Sequence, residues 1–126
     1  IEKIKLIRQT LLNTPEVNSE LMNKSSDVAR RLANLTFKFD RKSSSPSAEE
    51  NPPCPPTINE RLGVLYYTHY RSTANVTQTE KNTFDAMSEE IIPVSNELSD
   101  LIKQISLIES EMNQLKAPWT PGREIK

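Results

Sequence analysis

The sequence predicts an all-α protein, an antiparallel helical bundle of three to four helices with one very long, kinked C-terminal helix. The strongest observation is an apolar stripe that begins at Phe84 and continues in steps of three and four residues to Leu115. Shorter stretches with the same period precede it, and start signals typical of helices introduce them. The apolar stripe consists of Phe84, Met87, Ile91, Val94, Leu98, Leu101, Ile105, Ile108, Met112 and Leu115.

The last predicted helix covers residues 77–116, about 55 to 60 Å at 1.5 Å per residue. Either Thr77 with Glu80 or Thr79 with Asn82 supplies its N-terminal cap. Pro93 lies inside it and predicts a bend, because proline removes one backbone hydrogen bond, while the unbroken stripe predicts that the helix continues. The following segment, APWTPGR at 117–123, ends the helix, and Trp119 is expected to anchor this tail by its large surface.

Three shorter helices are predicted to cover the stripe. Ile4, Ile7 and Leu11 place the first at 1–13, and the motif TPE at 14–16 predicts that Thr14 caps a second helix over 15–40. Thr57 and Glu60 form a capping box that opens a third helix at 57–72. The connector 41–56 is rich in serine, charge and proline and is predicted to be flexible. The second helix has apolar residues at Leu21, Val28, Leu32, Leu35 and Phe39.

Composition excludes several classes of function. The 126 residues carry 16 Lys and Arg against 17 Asp and Glu, so the charge of -1 gives no basis for binding nucleic acid. No apolar run reaches the roughly 18 to 20 residues that a membrane span needs. One cysteine, Cys54, and one histidine, His69, are too few for a zinc site, and no cofactor is implied. The chain is in helical rhythm from its first turn, so it is expected to be part of a larger protein.

No side-chain pattern predicts catalysis. His69 lacks an accompanying Ser/His/Asp or Cys/His pattern, and a histidine at a helix boundary is the simpler interpretation. Tyr66 and Tyr70, with Tyr67 between them, form the only aromatic cluster, so Tyr66, His69 and Tyr70 are the candidates for a ligand surface. Packing of these rings with their hydroxyls at the rim is the alternative that we favour. The pair Arg30 and Arg31 is expected to bind acidic side chains of the last helix.

Three segments carry a resemblance: PTINERLG at 56–63, the run 84–94, and APWTPGR at 117–123. Together they resemble the C-terminal helical region of exported bacterial proteins with sortilin-like or BNR-repeat (sialidase-type) β-propellers, often labelled glycosyl hydrolases. The resemblance covers the second half of the chain. It implies a propeller before Ile1, a helical C-terminal appendage, and export to the periplasm or cell surface. The sequence contains no propeller, so no catalytic residue of that family has a counterpart in it.

Three hypotheses of function follow. The first is a non-catalytic structural or interaction module that docks on the missing propeller or on another protein. The second is a carbohydrate-associated hydrolase or sugar-binding fragment, with Tyr66, His69 and Tyr70 beside a groove. The third is a homo-oligomeric coiled coil built on the last helix. In each, the apolar stripe is buried, so replacing Leu98 or Leu101 by Ala is expected to cost about 2 to 5 kcal/mol.

Overall fold

The computed structural model describes residues 1–41, 54–70 and 72–123 and is all-α, as predicted. Its helices are α1 (Glu2–Leu12), α2 (Ser19–Phe39), α3 (Ile58–Tyr70) and α4 (Gln78–Gln114). None of the described residues lies in a β-strand. Most of the predicted connector, at 42–53, lies outside the described residues.

Capping boxes open α3 and α4. The backbone N–H of Thr57 donates to Oε2 of Glu60 at 2.6 Å, and the N–H of Glu60 donates to Oγ1 of Thr57 at 3.2 Å. Thr77 and Glu80 repeat this arrangement at 2.6 and 3.3 Å. Each box satisfies two amides that a helix start leaves without a partner. The prediction for α3 is confirmed, and of the two alternatives for α4 the structure selects Thr77.

The start of α2 differs from the prediction. Thr14 is buried, and its hydroxyl donates to the carbonyl of Thr10 at 2.8 Å, so it stabilises the end of α1. The cap of α2 is Asn18, whose Oδ1 accepts the N–H of Leu21 at 2.8 Å. Thr14 thus belongs to the end of α1, and α2, capped by Asn18, starts four residues later than predicted.

α4 runs through Pro93 without interruption over 37 residues, which confirms its continuity; the bend stays a prediction. The helix ends in a Schellman arrangement. Lys116 has a positive φ of 52°, its N–H donates to the Asn113 carbonyl at 3.1 Å, and the N–H of Ala117 donates to the Met112 carbonyl at 3.0 Å. Glycine usually occupies such a position, so the sequence offered no direct sign of this turn.

The described residues form two compact units, and the first comprises residues 1–34 and 97–123. Within it α2 and α4 run antiparallel: Lys24 lies 3.1 Å from Glu111, while Arg31 lies 2.6 Å from Glu97 and 2.8 Å from Asp100. The predicted pairing of Arg31 is confirmed; Arg30 instead pairs with Asp27 of its own helix. The core residues of this unit are Ile4, Ile7, Leu11, Leu21, Val28, Leu101, Ile108, Met112 and Ala117.

The second unit comprises residues 35–41, 54–70 and 72–96. α3 and the first half of α4 also run antiparallel, since Arg61 lies 3.6 Å from Glu90 and His69 lies 2.8 Å from Glu80. The large apolar side chains that are buried here, among the described residues, are Leu35, Ile58 and Val94. This unit therefore has a much smaller core than the first.

The prediction that the whole apolar stripe is covered was wrong. Leu101 and Met112 have no exposed surface, but Phe84, Ile91 and Leu98 are 55%, 39% and 43% exposed. α3 has only 13 residues and contributes a single buried residue, Ile58, so it cannot cover the first half of the stripe. Replacing Leu98 is therefore expected to cost less than the sequence indicated, because a half-exposed leucine has less surface to lose.

The role predicted for Trp119 was also wrong, because the indole is 56% exposed. The tail is held by buried Ala117, Thr120 and Arg123. The Arg123 guanidinium donates through Nη2 to the carbonyl of Ala117 at 2.7 Å, and the indole Nε1 of Trp119 donates to the carbonyl of Arg123 at 3.0 Å. The tail is therefore closed on itself by hydrogen bonds, one of them from Trp119.

Candidate functional site

Three tyrosines on α3 form an exposed cluster, which we call the tyrosine cluster: Tyr66, Tyr67 and Tyr70. The Tyr66 ring lies 5.4 Å from that of Tyr70, with 32° between their planes, and 5.4 Å from that of Tyr67, edge to face. Residues four apart share a helix face, which brings Tyr66 and Tyr70 together. Their exposures are 58%, 76% and 63%, so the favoured packing of these rings against a core was wrong. The rings contact each other instead.

His69 contacts α4 through its Nε2 atom, while about a third of its side chain stays exposed. Its Nε2 lies 2.8 Å from Oε1 of Glu80, although the pair lacks the alignment of a regular hydrogen bond, and both atoms are sealed from water. The three candidate residues are thus divided: Tyr66 and Tyr70 contact each other, while His69 pairs with a carboxylate. The sequence predicted Glu80 only as a capping residue. Its contact with His69 arises because α3 and the first half of α4 pack antiparallel, which brings the end of α3 beside the start of α4.

Glu80 contacts His69 through one carboxylate oxygen and Thr77 through the other. Its Oε2 accepts the backbone N–H of Thr77 at 2.6 Å and the hydroxyl of Thr77 at 2.8 Å. These two bonds, with a smaller contribution from His69, lower the pKa of Glu80 below its ordinary value. Glu80 is therefore expected to stay ionised at neutral pH.

The order of Thr77, Glu80 and His69 does not support hydrolysis. In a catalytic triad the imidazole lies between the hydroxyl and the carboxylate, so that it can accept the proton of the nucleophile. Here the carboxylate of Glu80 lies between the hydroxyl and the imidazole. The arrangement can orient His69 and cap a helix, but it does not activate Thr77 as a nucleophile.

An open groove of about 320 Å³ adjoins this pair. Leu65, Val76 and Phe84 give it apolar walls, and Val76 and Phe84 are 54% and 55% exposed. Lys81 and Asp85 lie at its edge and carry opposite charges. Such a groove can take an apolar side chain of a partner but has no convergent set of polar groups that would orient a small substrate.

A second groove in the same unit, about 340 Å³, lies beside Pro93. Arg41 crosses one side of it: its Nη2 donates to the carbonyl of Pro55 at 2.8 Å and its guanidinium lies over the ring of Phe37, 5.5 Å from the centroid. These contacts fix the chain on both sides of the undescribed segment 42–53. The described residues of this groove do not indicate a specific ligand.

The described residues contain neither a candidate metal-ion site nor a candidate membrane-spanning helix. Residues 1–41, 54–70 and 72–123 contain no group of three His, Cys, Asp or Glu side chains placed to hold a metal ion. The helices described are all too short or too polar to cross a bilayer. Cys54 is exposed.

Comparison with known proteins gives no relative. No family model, no curated protein and no solved structure matches the chain. The function is therefore argued from the surfaces described above.

Proposed function

We propose that this chain is a non-catalytic helical interaction module that binds a folded protein through the tyrosine cluster. The observation that carries the proposal is the uneven burial of the second unit. Leu35, Ile58 and Val94 are buried, whereas all three tyrosines and Phe84 are more than half exposed. Large apolar side chains grouped on the surface are typical of interaction sites.

Tyrosine suits such a role for two physical reasons. Its ring adds a large contact area with few rotatable bonds, and its hydroxyl satisfies a hydrogen bond at the edge of an interface. Tyrosine is accordingly enriched among the residues that dominate binding energies. In this chain Tyr66 and Tyr70 already hold each other in place through ring contact, so little side-chain freedom remains to be lost on binding.

The partner that we propose is the β-propeller implied by the sequence resemblance, in an exported bacterial protein of the kind often labelled a glycosyl hydrolase. On this proposal the helical module is a C-terminal appendage that acts in the periplasm or at the cell surface. The resemblance of segments 56–63, 84–94 and 117–123 supports it. The catalytic residues of the parent protein, where it has any, would then lie outside this chain.

The test is a binding measurement with the propeller encoded upstream of Ile1, produced separately. We expect the double variant Tyr66→Ala/Tyr70→Ala to weaken binding by a factor of about 30 or more, since the loss of even one central aromatic residue of an interface costs about 2 kcal/mol or more. The matched control is Ile102→Ala/Leu107→Ala, which removes two exposed apolar side chains from the first unit. Unchanged affinity of the tyrosine variant, or an upstream sequence without propeller repeats, would contradict the proposal.

A second candidate function is sugar binding, favoured by the exposed faces of Tyr66 and Tyr70. Two rings inclined by only 32° can offer a platform for the apolar face of a carbohydrate. Titration with oligosaccharides, followed by tyrosine and tryptophan fluorescence, separates the two functions. A saturable change that the Tyr66→Ala/Tyr70→Ala variant loses would favour the sugar, and a flat response favours the protein partner.

Self-association is the third candidate and concerns the exposed part of α4. Phe84, Ile91 and Ile92 are 55%, 39% and 63% exposed, so a second copy has apolar surface to cover. Sedimentation velocity over a wide concentration range tests it. A monomer at all concentrations excludes a homo-oligomeric coiled coil.

A further inference from the structure

Arg123 presents a buried cation without a carboxylate partner among the described residues. Only 7% of the residue is exposed. Nη2 donates to the carbonyl of Ala117 at 2.7 Å, but Nε and Nη1 are sealed from bulk water and have no hydrogen-bond partner. Burying an unpaired charge, and leaving two of its donors unsatisfied, is unfavourable by several kcal/mol. If Arg123 served only to hold the tail in place, its hydrogen bond to the Ala117 carbonyl would be sufficient.

A polar pocket of about 300 Å³ in the first unit has Arg123 in its lining. Lys3 of α1 lies across it, with Nζ 2.8 Å from Oε1 of Glu109 and 3.2 Å from the carbonyl of Gly122, to which it donates. Ser110 and Asn113 of α4 complete the lining. Among the described residues of the lining, Lys3 and Glu109 compensate each other, and Arg123 adds one positive charge.

We propose that this pocket binds a carboxylate, with Arg123 as its principal partner. A planar carboxylate matches the guanidinium fork, and hydrogen bonds between two charged groups are about twice as strong as those between neutral ones. The single positive charge that Arg123 adds favours a monoanion over a phosphate dianion. Because the free donors of Arg123 have no exposed surface, binding on this proposal requires the side chain of Lys3, which is 40% exposed, to move aside.

This inference goes beyond the proposed function and does not depend on it, because every residue involved lies in the first unit and the tyrosine cluster lies in the second. A variant that no longer binds the propeller should still bind the carboxylate, and a variant that no longer binds the carboxylate should still bind the propeller. The carboxylate has two sources with the same chemistry, a free organic acid or the C-terminus of a peptide.

The experiment is an NMR titration of the whole chain labelled with ¹⁵N, in which the Nε–H signal of Arg123 is followed. Trp119, the only tryptophan, gives a second signal because its indole donates to the carbonyl of Arg123. The probes are sodium acetate and a short peptide with a free C-terminal carboxylate; sodium chloride and sodium phosphate at matched ionic strength are the controls. We expect saturable shifts with acetate or the peptide, and the tighter of the two identifies the source.

Two variants and a control test the assignment. Arg123→Lys keeps the charge but removes the fork, and should raise the Kd about tenfold or more. Glu109→Gln keeps Arg123 and removes the negative charge of the pocket, so it should lower the Kd several-fold, and combining it with Arg123→Lys should remove most of that gain. Arg8→Gln, an exposed cation of the same helix as Lys3, should leave the Kd unchanged.

Three results would overturn the proposal. The first is the absence of a saturable response to acetate and to the peptide. The second is an equal response to chloride or a stronger one to phosphate. The third is a Glu109→Gln variant that binds no tighter than the original chain, measured with its fold checked by circular dichroism.

Discussion

Glu80 shows how one carboxylate can serve two elements. Its Oε2 caps α4 through Thr77, and its Oε1 lies 2.8 Å from Nε2 of His69 on α3. Glu60 has the same capping role at α3, where its partners are Thr57 and, more distantly, Arg41 at 3.7 Å. The pKa of each carboxyl is lowered, first by the backbone N–H of its threonine and then by the threonine hydroxyl.

These lowered pKa values predict a loss of stability in acid. In the unfolded chain Glu80 takes up its proton near its ordinary value of 4.5, while in the folded chain it does so at lower pH. The unfolded state therefore binds more protons in that interval, and the stabilisation present above pH 4.5 is lost as pH falls through the folded pKa. We expect Glu80→Gln to reduce this acid dependence.

Urea unfolding measured at pH 7 and at steps from pH 5 to pH 3 checks the prediction. Glu89→Gln is the control, because Glu89 is an exposed residue of the same helix. The variant with Gln at position 80 should show a flatter pH profile than the control. Identical profiles for the two variants would mean that the capping carboxylate is not linked to folding.

At the scale of the element, α4 is one helix with two environments. Its second half supplies three fully buried apolar residues to the first unit, Leu101, Ile108 and Met112, and its first half supplies one buried apolar residue, Val94, to the second. The apolar stripe has the same period throughout, so the difference arises from what packs against it. Helices α1 and α2 cover the second half, whereas the first half has α3 and the end of α2.

This difference predicts unequal effects of two similar substitutions. Leu101→Ala should cost about 2 to 5 kcal/mol, because the side chain has no exposed surface and its loss leaves a cavity. Leu98→Ala, one turn earlier and 43% exposed, should cost about 1 kcal/mol or less. Chemical denaturation of both variants measures the two values. Equal costs would show that the burial along α4 is not the one described.

For the molecule as a whole, the two units differ in how much apolar surface each removes from water. The first has a core contributed by α1, α2, α4 and the tail, while the second leaves its tyrosines and Phe84 outside. Hydrophobic burial is the main favourable term in folding. The second unit is therefore expected to be the less stable of the two when no partner is bound.

Hydrogen exchange tests this expectation. Backbone amides near Leu101 to Met112 should be the slowest to exchange, and those of α3 should exchange much faster, because local opening is easiest where few apolar contacts are lost. Binding of the proposed partner should slow exchange in α3 selectively. Uniform protection of α3 and the second half of α4 in the free chain would contradict the division in stability.

Much of the secondary structure could be predicted from sequence because its signals are local. The capping boxes at Thr57 and Thr77 place donor and acceptor three residues apart, and the period of the stripe sets one face of α4 regardless of its surroundings. Errors occurred where a residue had two local partners to choose from, as Thr14 did. Lys116 was missed because its left-handed conformation usually belongs to glycine.

By itself the sequence determined that the chain is helical, where α1, α3 and α4 lie to within a few residues, and that α4 continues through Pro93. Only the tertiary structure decided which half of the apolar stripe is buried, that His69 meets Glu80, and that Arg123 is buried with no ion pair to a carboxylate of the described residues. The physical reason is the separation along the sequence between the residues that interact. Hydrogen bonds within one turn are fixed by neighbours in the chain, whereas burial and ion pairing depend on residues brought together from distant segments.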